Sequence, residues 1–164
     1  MLSNRRALLA AALLTAVLPG CGRRQQDGVR RVAVVAFDNQ SGDAALDWQS
    51  RGIADGIVLT LTGSPRSAAV YVPALAGAFA SRPTHIIHGY ISARGRAHAA
   101  VEDATTHRIV AEASASGPSA AAIAQELARR IEPSARPLNI SDEALRAFSE
   151  GSFERAASLE PAFG

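Results

Sequence analysis

The sequence predicts a two-layer α/β domain with one mixed β-sheet: strand, helix and strand, then an antiparallel meander, then a helix, with one more helical segment at the carboxy terminus. Three observations carry this. Val32-Ala33-Val34-Val35-Ala36-Phe37 is a continuous apolar run bounded by charge and turn residues, as in a strand buried on both faces. Apolar residues recur at helical spacing at Trp48, Ile53, Ile57, Val58 and Leu61, and every four positions at Ile123, Leu127 and Ile131. Between them, segments 86–92, 97–102 and 108–114 read as strands separated by turns at Arg94-Gly95 and Asp103-Ala104-Thr105-Thr106.

The chain opens differently. Arg5 and Arg6 precede an apolar run over residues 7–18, too short to cross a bilayer, which takes roughly 20 residues. It has the form of a secretory h-region. Leu18-Pro19-Gly20-Cys21 follows and resembles the lipobox of bacterial lipoproteins, with Pro19 departing from the commonest pattern. That resemblance implies a signal peptide over residues 1–20, a thioether-linked diacylglycerol and an acylated amino terminus at Cys21, and, because Gly22 rather than aspartate follows, the periplasmic face of the outer membrane. Residues 22–28 are polar and aperiodic, a tether of at most about 23 Å at roughly 3.3 Å per residue.

Removing residues 1–20 changes the charge balance. Of seventeen basic residues, all arginine, fifteen remain against fifteen acidic ones, so the formal charge falls from +2 to zero. A nucleic-acid partner, which calls for a basic excess, is not expected. Cys21 is the only cysteine, so no intramolecular disulfide can form and the core alone must hold the fold.

The domain is expected over residues 29–136. Residues 38–47 are rich in Asp, Asn, Ser and Gly and read as a loop, with Asp47 as the N-cap of the first helix. Gly63-Ser64-Pro65 ends that helix. A second strand over residues 69–72 stops at Pro73, and residues 74–81 have room for a short helix. After the meander, Pro118 stands near a helix start and Pro133 ends the helix.

Residues 32–43 and the cluster Trp48, Ser50, Gly52, Ile53, Ala54 and Asp55 resemble the start of TolB amino-terminal-like domains: a strand ending in Phe, an Asn-x-Ser-Gly-Asp loop, and a helix opening with an aromatic residue. His88-Gly89-Tyr90-Ile91 and Asp103-Ala104-Thr105-Thr106 continue the likeness, although His107 stands where that family commonly has Gly. The resemblance spans roughly residues 29–132. It implies a non-catalytic envelope module of the kind found in FlgO-, CsgG- and LpoB-related lipoproteins.

No catalytic residue, metal ligand set or cofactor is assigned. The Asn39–Asp43 loop is explained by side chains folding onto nearby amides, with Gly42 free to take positive φ; a calcium or phosphate loop is the alternative, but Gly42 occupies a ligand position and no Gly-Lys-Ser/Thr follows. Trp48 reads as a core plug before a binding platform. His85 and His88 point to opposite faces of one strand and cannot share a metal. His98 and His107 have no acidic partner at ligand spacing. No Gly-x-Ser-x-Gly elbow marks a nucleophile.

Residues 137–164 are expected to be a linker and a helical segment capped by Ser141, ending in a stretch similar to the second helix of a tetratricopeptide repeat. Its stripe of Leu145, Phe148, Phe153 and Leu159 is the candidate partner-binding surface; it docks either on its own domain or on another protein. Two function classes follow: a lipid-tethered protein-protein interaction module in the periplasm, or a subunit of an oligomeric outer-membrane secretion or flagellar assembly, in which the chain would also meet copies of itself.

Overall fold

A computed structural model describes residues 28–161. The fold is a mixed sheet with its long helices on one face and a short helix over part of the other. Strand β1 (Arg30–Val35) is an interior strand and pairs in parallel with β3 (Ser67–Val72) on one side and β4 (His85–Ile91) on the other. From β4 the sheet continues antiparallel through β5 (Arg96–Asp103) to β6 (Arg108–Ser116), giving the order β3-β1-β4-β5-β6. A two-residue strand, β2 (Asp38–Asn39), extends the parallel edge of β4 at Tyr90–Ile91.

The interior position of β1, covered on both faces, explains its apolar run. Val32 and Val34 face a core shared with helices α1 (Asp47–Thr62) and α3 (Ala120–Ile131), while Ala33 and Val35 face a smaller cluster with Val72, Ile86 and Ala78 of the four-residue helix α2 (Leu75–Ala78). The strand is two residues earlier than its apolar run because Arg30 and Arg31 continue the ladder with Ser67 and Ala68. Backbone pairing does not require apolar side chains.

Helix α1 is buried on several sides, with Ile53, Ile57 and Leu61 fully inside. Gly56 sets its distance from α3: a Cβ there would lie 2.7 Å from the Ala124 Cβ. Helix α3 begins at the Ser119 N-cap, whose hydroxyl accepts from the Ala122 amide. A second cap reaches it from far along the chain. Asp142 accepts from the Ala120 and Ala121 amides at 3.2 and 3.0 Å.

Asp142 opens α4 (Asp142–Ser149), so this cap ties the carboxy-terminal segment to the body of the fold. Leu145 of α4 is fully buried in the principal core. The single carboxy-terminal stripe divides in two. Gly151, at φ 81°, ends α4, and α5 (Phe153–Leu159) folds back so that Arg155 reaches Glu143 at 2.8 Å.

Two local expectations are corrected. Residues 38–47 include β2 and a 3-10 turn over Ala44–Leu46, capped by Asp43, whose carboxylate accepts from the Ala45 amide. Asp47 is therefore the first residue of α1, not its N-cap; its carboxylate accepts from Asn39 Nδ2 at 2.6 Å. The cap moved forward because the 3-10 turn supplies the first turn ahead of the helix.

Candidate functional site

Strand alternation sorts the side chains of β4, β5 and β6 onto two faces. Ile87, Ile91, Ala97, Ala99, Val101, Ala113 and Ala115 point under the helices and are buried. The opposite face, beyond the patch that α2 covers, is open and polar. Its residues form rows set by the antiparallel registers: Arg96 opposite Ser116; Tyr90, His98 and Ser114; His88, Ala100 and Glu112; and Glu102 opposite Ile109, where the row runs into Ile86, buried under α2.

The second row is a connected unit. The Tyr90 and His98 rings stack with centroids 4.7 Å apart and planes 17° from parallel, and His98 Nδ1 lies 2.8 Å from the Ser114 hydroxyl. Both positions are direct cross-strand pairs, the closest side-chain neighbours a sheet offers. Gly89 lies between the exposed ends of this arrangement and the core beneath. A Cβ there would meet the His98 carbonyl oxygen and come within 2.7 Å of Phe37 Cε1, so only glycine lets β4 and β5 approach this closely over Phe37.

Above that row, the β4–β5 hairpin closes through the Ser92 amide donating to the Arg96 carbonyl and the Gly95 amide donating to the Ser92 carbonyl, both at 2.9 Å, with Gly95 at φ 63°. The hairpin sets Arg94 and Arg96 beside a shallow depression of about 350 Å³, lined also by Ser92, His98 and Ser116.

At the other end of the open face, Glu102 stands between two histidines. His107 Nδ1 is 2.8 Å from one of its carboxylate oxygens and His88 Nε2 is 3.9 Å from the other. The sequence spacing offered His107 no acidic or cysteine partner of metal-ligand kind; the fold brings Glu102 to it as a hydrogen-bonding partner. Five residues apart in sequence, the pair meets because the turn between β5 and β6 closes tightly: Asp103 accepts from the Thr105 and Thr106 amides, which holds its carboxyl below the usual range, and His107 takes the left-handed conformation at φ 56°. Among the described residues no group of three or more His, Cys, Asp and Glu side chains is arranged to hold a metal ion. His85 faces the helix side, where burial lowers its pKa, apart from His88 as strand geometry requires.

The Asn39–Asp43 loop is engaged with itself. Asn39 Oδ1 accepts from the Ser41 amide, Ser41 Oγ accepts from the Asp43 amide, and Asn39 Nδ2 donates to the Asp43 carbonyl. Gly42 has φ 77°. Trp48 is half-buried against the core, its ring over Gly52 and under the Arg146 guanidinium at 5.7 Å.

Of the residues singled out in sequence, Cys21 lies outside the described residues. Leu145 is inside the core. Phe148 is half-buried and meets Phe153 edge-on at 5.4 Å; Phe153 and Leu159 are 59% and 36% exposed. The open-face rows were the feature not singled out. The signal was period-two alternation of His88 and Tyr90 in one strand and of Arg96, His98 and Glu102 in the next.

Comparison with family models and with curated proteins finds no match. Among solved structures, the chain is similar to the PelC dodecamer from Paraburkholderia phytofirmans, at 18% identity and a TM-score of 0.49, over 67% of this chain and 91% of that one. It is likewise similar to a point variant of that PelC, at 16% identity with the same coverage and TM-score.

Proposed function

We propose that the mature chain is a lipid-anchored, non-catalytic interaction module of the bacterial envelope, held by Cys21 at the periplasmic face of the outer membrane and engaging another envelope protein through its carboxy-terminal helix pair. The lipobox-like Leu18-Pro19-Gly20-Cys21 supports the anchor, and the resemblance to TolB amino-terminal-like domains supports an envelope module.

The observation that carries the interaction surface is the contrast between α4 and α5. Helix α4 gives Ala144, Leu145, Ala147 and Ser149 to the interior, so its docking is satisfied within the domain. Helix α5 buries Ala156 alone and leaves Phe153 and Leu159 outward, six positions apart on a helix of seven residues. Exposed apolar side chains beside the half-buried Phe148 are what a partner groove would receive.

Three variants test the reading. Cys21→Ala should leave the outer-membrane fraction and lose labelling by a fatty-acid probe. A photo-cross-linking residue at Phe153 should capture an envelope partner in cells, and adding Leu159→Ser should abolish the adduct without moving the melting temperature. Continued outer-membrane fractionation of Cys21→Ala would refute the anchor. An adduct unchanged by Leu159→Ser would refute the surface, and an adduct formed only with a second copy of the chain would favour the assembly-subunit reading instead.

A further inference from the structure

We infer that the depression beneath the β4–β5 hairpin is a binding site for an oxyanion, a carboxylate or phosphate carried on a small polar solute. Arg94 and Arg96 flank Gly95 on a closed hairpin, and neither forms an ion pair with an acidic side chain among the described residues. Six of the thirteen described arginines pair with a carboxylate; of the seven that do not, Arg94 and Arg96 are the two that line this depression together. In a chain whose domain is otherwise balanced in charge, two uncompensated guanidiniums beside one concavity make a local positive field.

The rest of the lining suits the same ligand chemistry. Ser92, His98 and Ser116 all carry hydrogen-bonding side chains, and no carboxylate lines the depression. His98 is held in place by stacking on Tyr90 and by Ser114 at Nδ1, and its Nε2 has no partner among the described residues. A guanidinium matches a carboxylate or phosphate through two parallel hydrogen bonds, and hydroxyls and a ring nitrogen beside it can take the ligand's remaining polar groups. The volume of about 350 Å³ is at the small end of the range for small-molecule sites, about 300–1,000 Å³.

Position argues for a solute over the headgroup of a lipid in the anchoring membrane. The described chain enters the sheet at Arg30, and Val32 is level with His85 in the parallel pairing of β1 and β4. Ser92 is seven residues further along β4 and Arg30 two residues back, a separation of roughly 30 Å at about 3.3 Å per residue. The hairpin is at the end of the sheet remote from the point where the tether joins.

Calorimetric titration of the full-length chain with glucuronate and with inorganic phosphate, at low ionic strength, tests the site. Saturable binding of at least one anion is expected, weakening as salt is added. Arg94→Ala with Arg96→Ala should weaken it at least about tenfold, a change of about 1.4 kcal/mol, while the melting temperature stays unchanged because both side chains are exposed. Absence of saturable binding by the wild type, or equal binding by the double variant, would overturn the inference. So would retention of the wild type but not the double variant on phosphatidylglycerol vesicles when neither soluble anion binds, since the arginines would then read lipid headgroups. The Cys21→Ala and Phe153 experiments read neither outcome, so this site and the proposed interaction surface stand or fall separately.

Discussion

On the helix-covered side of β5, Ala97, Ala99 and Val101 are buried in the principal core; on the other side of the same strand, Arg96 is exposed, His98 stacks on the Tyr90 ring and Glu102 faces two histidines. One strand thus serves two surfaces with opposite tolerances. The covered face is restricted by volume, since small residues there let α3 lie close to the sheet and any added or removed methylene is felt. The open face is restricted by which side chains are neighbours across the strands. Substitutions on the first should change stability, and substitutions on the second should change binding while stability holds.

The largest expected effect is on the covered side. Leu145→Ala, far along the chain but inside the same core, should destabilise by about 2–5 kcal/mol, read as a shift in the urea midpoint. Failure to do so would mean that α4 does not share the core. Gly89→Ala adds a single methyl where β4 crosses Phe37 and should cost about 1–3 kcal/mol by overpacking. His107→Val places a β-branched residue at φ 56° in an exposed turn, and should cost about 1–2 kcal/mol from the left-handed backbone. By contrast Phe153→Ser, on exposed α5, should change stability by no more than about 0.5 kcal/mol. A larger loss would show that α5 is part of the core and would narrow the contrast.

The pH dependence sharpens the same contrast. Asp55, buried in α1, has its carboxyl raised by burial, an effect that the Ser149 hydroxyl and Arg51 partly offset. A raised folded-state pKa means that the folded protein holds this proton more tightly. Its contribution is full below the ordinary carboxylate pKa and is lost as pH rises through the raised value. Exposed Asp103 has the opposite sign: its contribution is present above the ordinary carboxylate pKa and is lost as pH falls through its lowered value. Melting temperature followed from acid to neutral pH should therefore fall less with rising pH in Asp55→Asn than in the wild type, and fall less with acidification in Asp103→Asn.

Much of the fold was legible because its elements obey local rules. Ser141 caps a helix as expected, Pro118 stands just ahead of the start of α3, Gly95 and the Asp103 turn close hairpins, and Pro73 and Pro133 follow the ends of their elements. The failures share a cause. Asp47 was displaced from its cap by a 3-10 turn that pays no heed to the nearest acidic residue, and the stripe from Leu145 to Leu159 was divided by a glycine whose positive φ turned one helix into two. The candidate site was less legible still, because the period-two alternation of His88 and Tyr90 and of Arg96 and His98 puts each pair on one face of its strand but does not say which strands lie side by side.

The sequence by itself determined the principal strands and helices, their order, and which side chains of each strand share a face, because these follow from the backbone's periods of 2 and 3.6 residues and from the chemistry of caps and turns. Only the tertiary structure decided that β1 lies between β3 and β4, that Tyr90 stands opposite His98 and His98 opposite Ser114, and that Asp142 caps a helix 22 residues before it. Those are relations of register and packing between distant segments. A one-residue slip leaves every local pattern intact while turning each side chain to the other face, so the choice is made by the core that the segments form together.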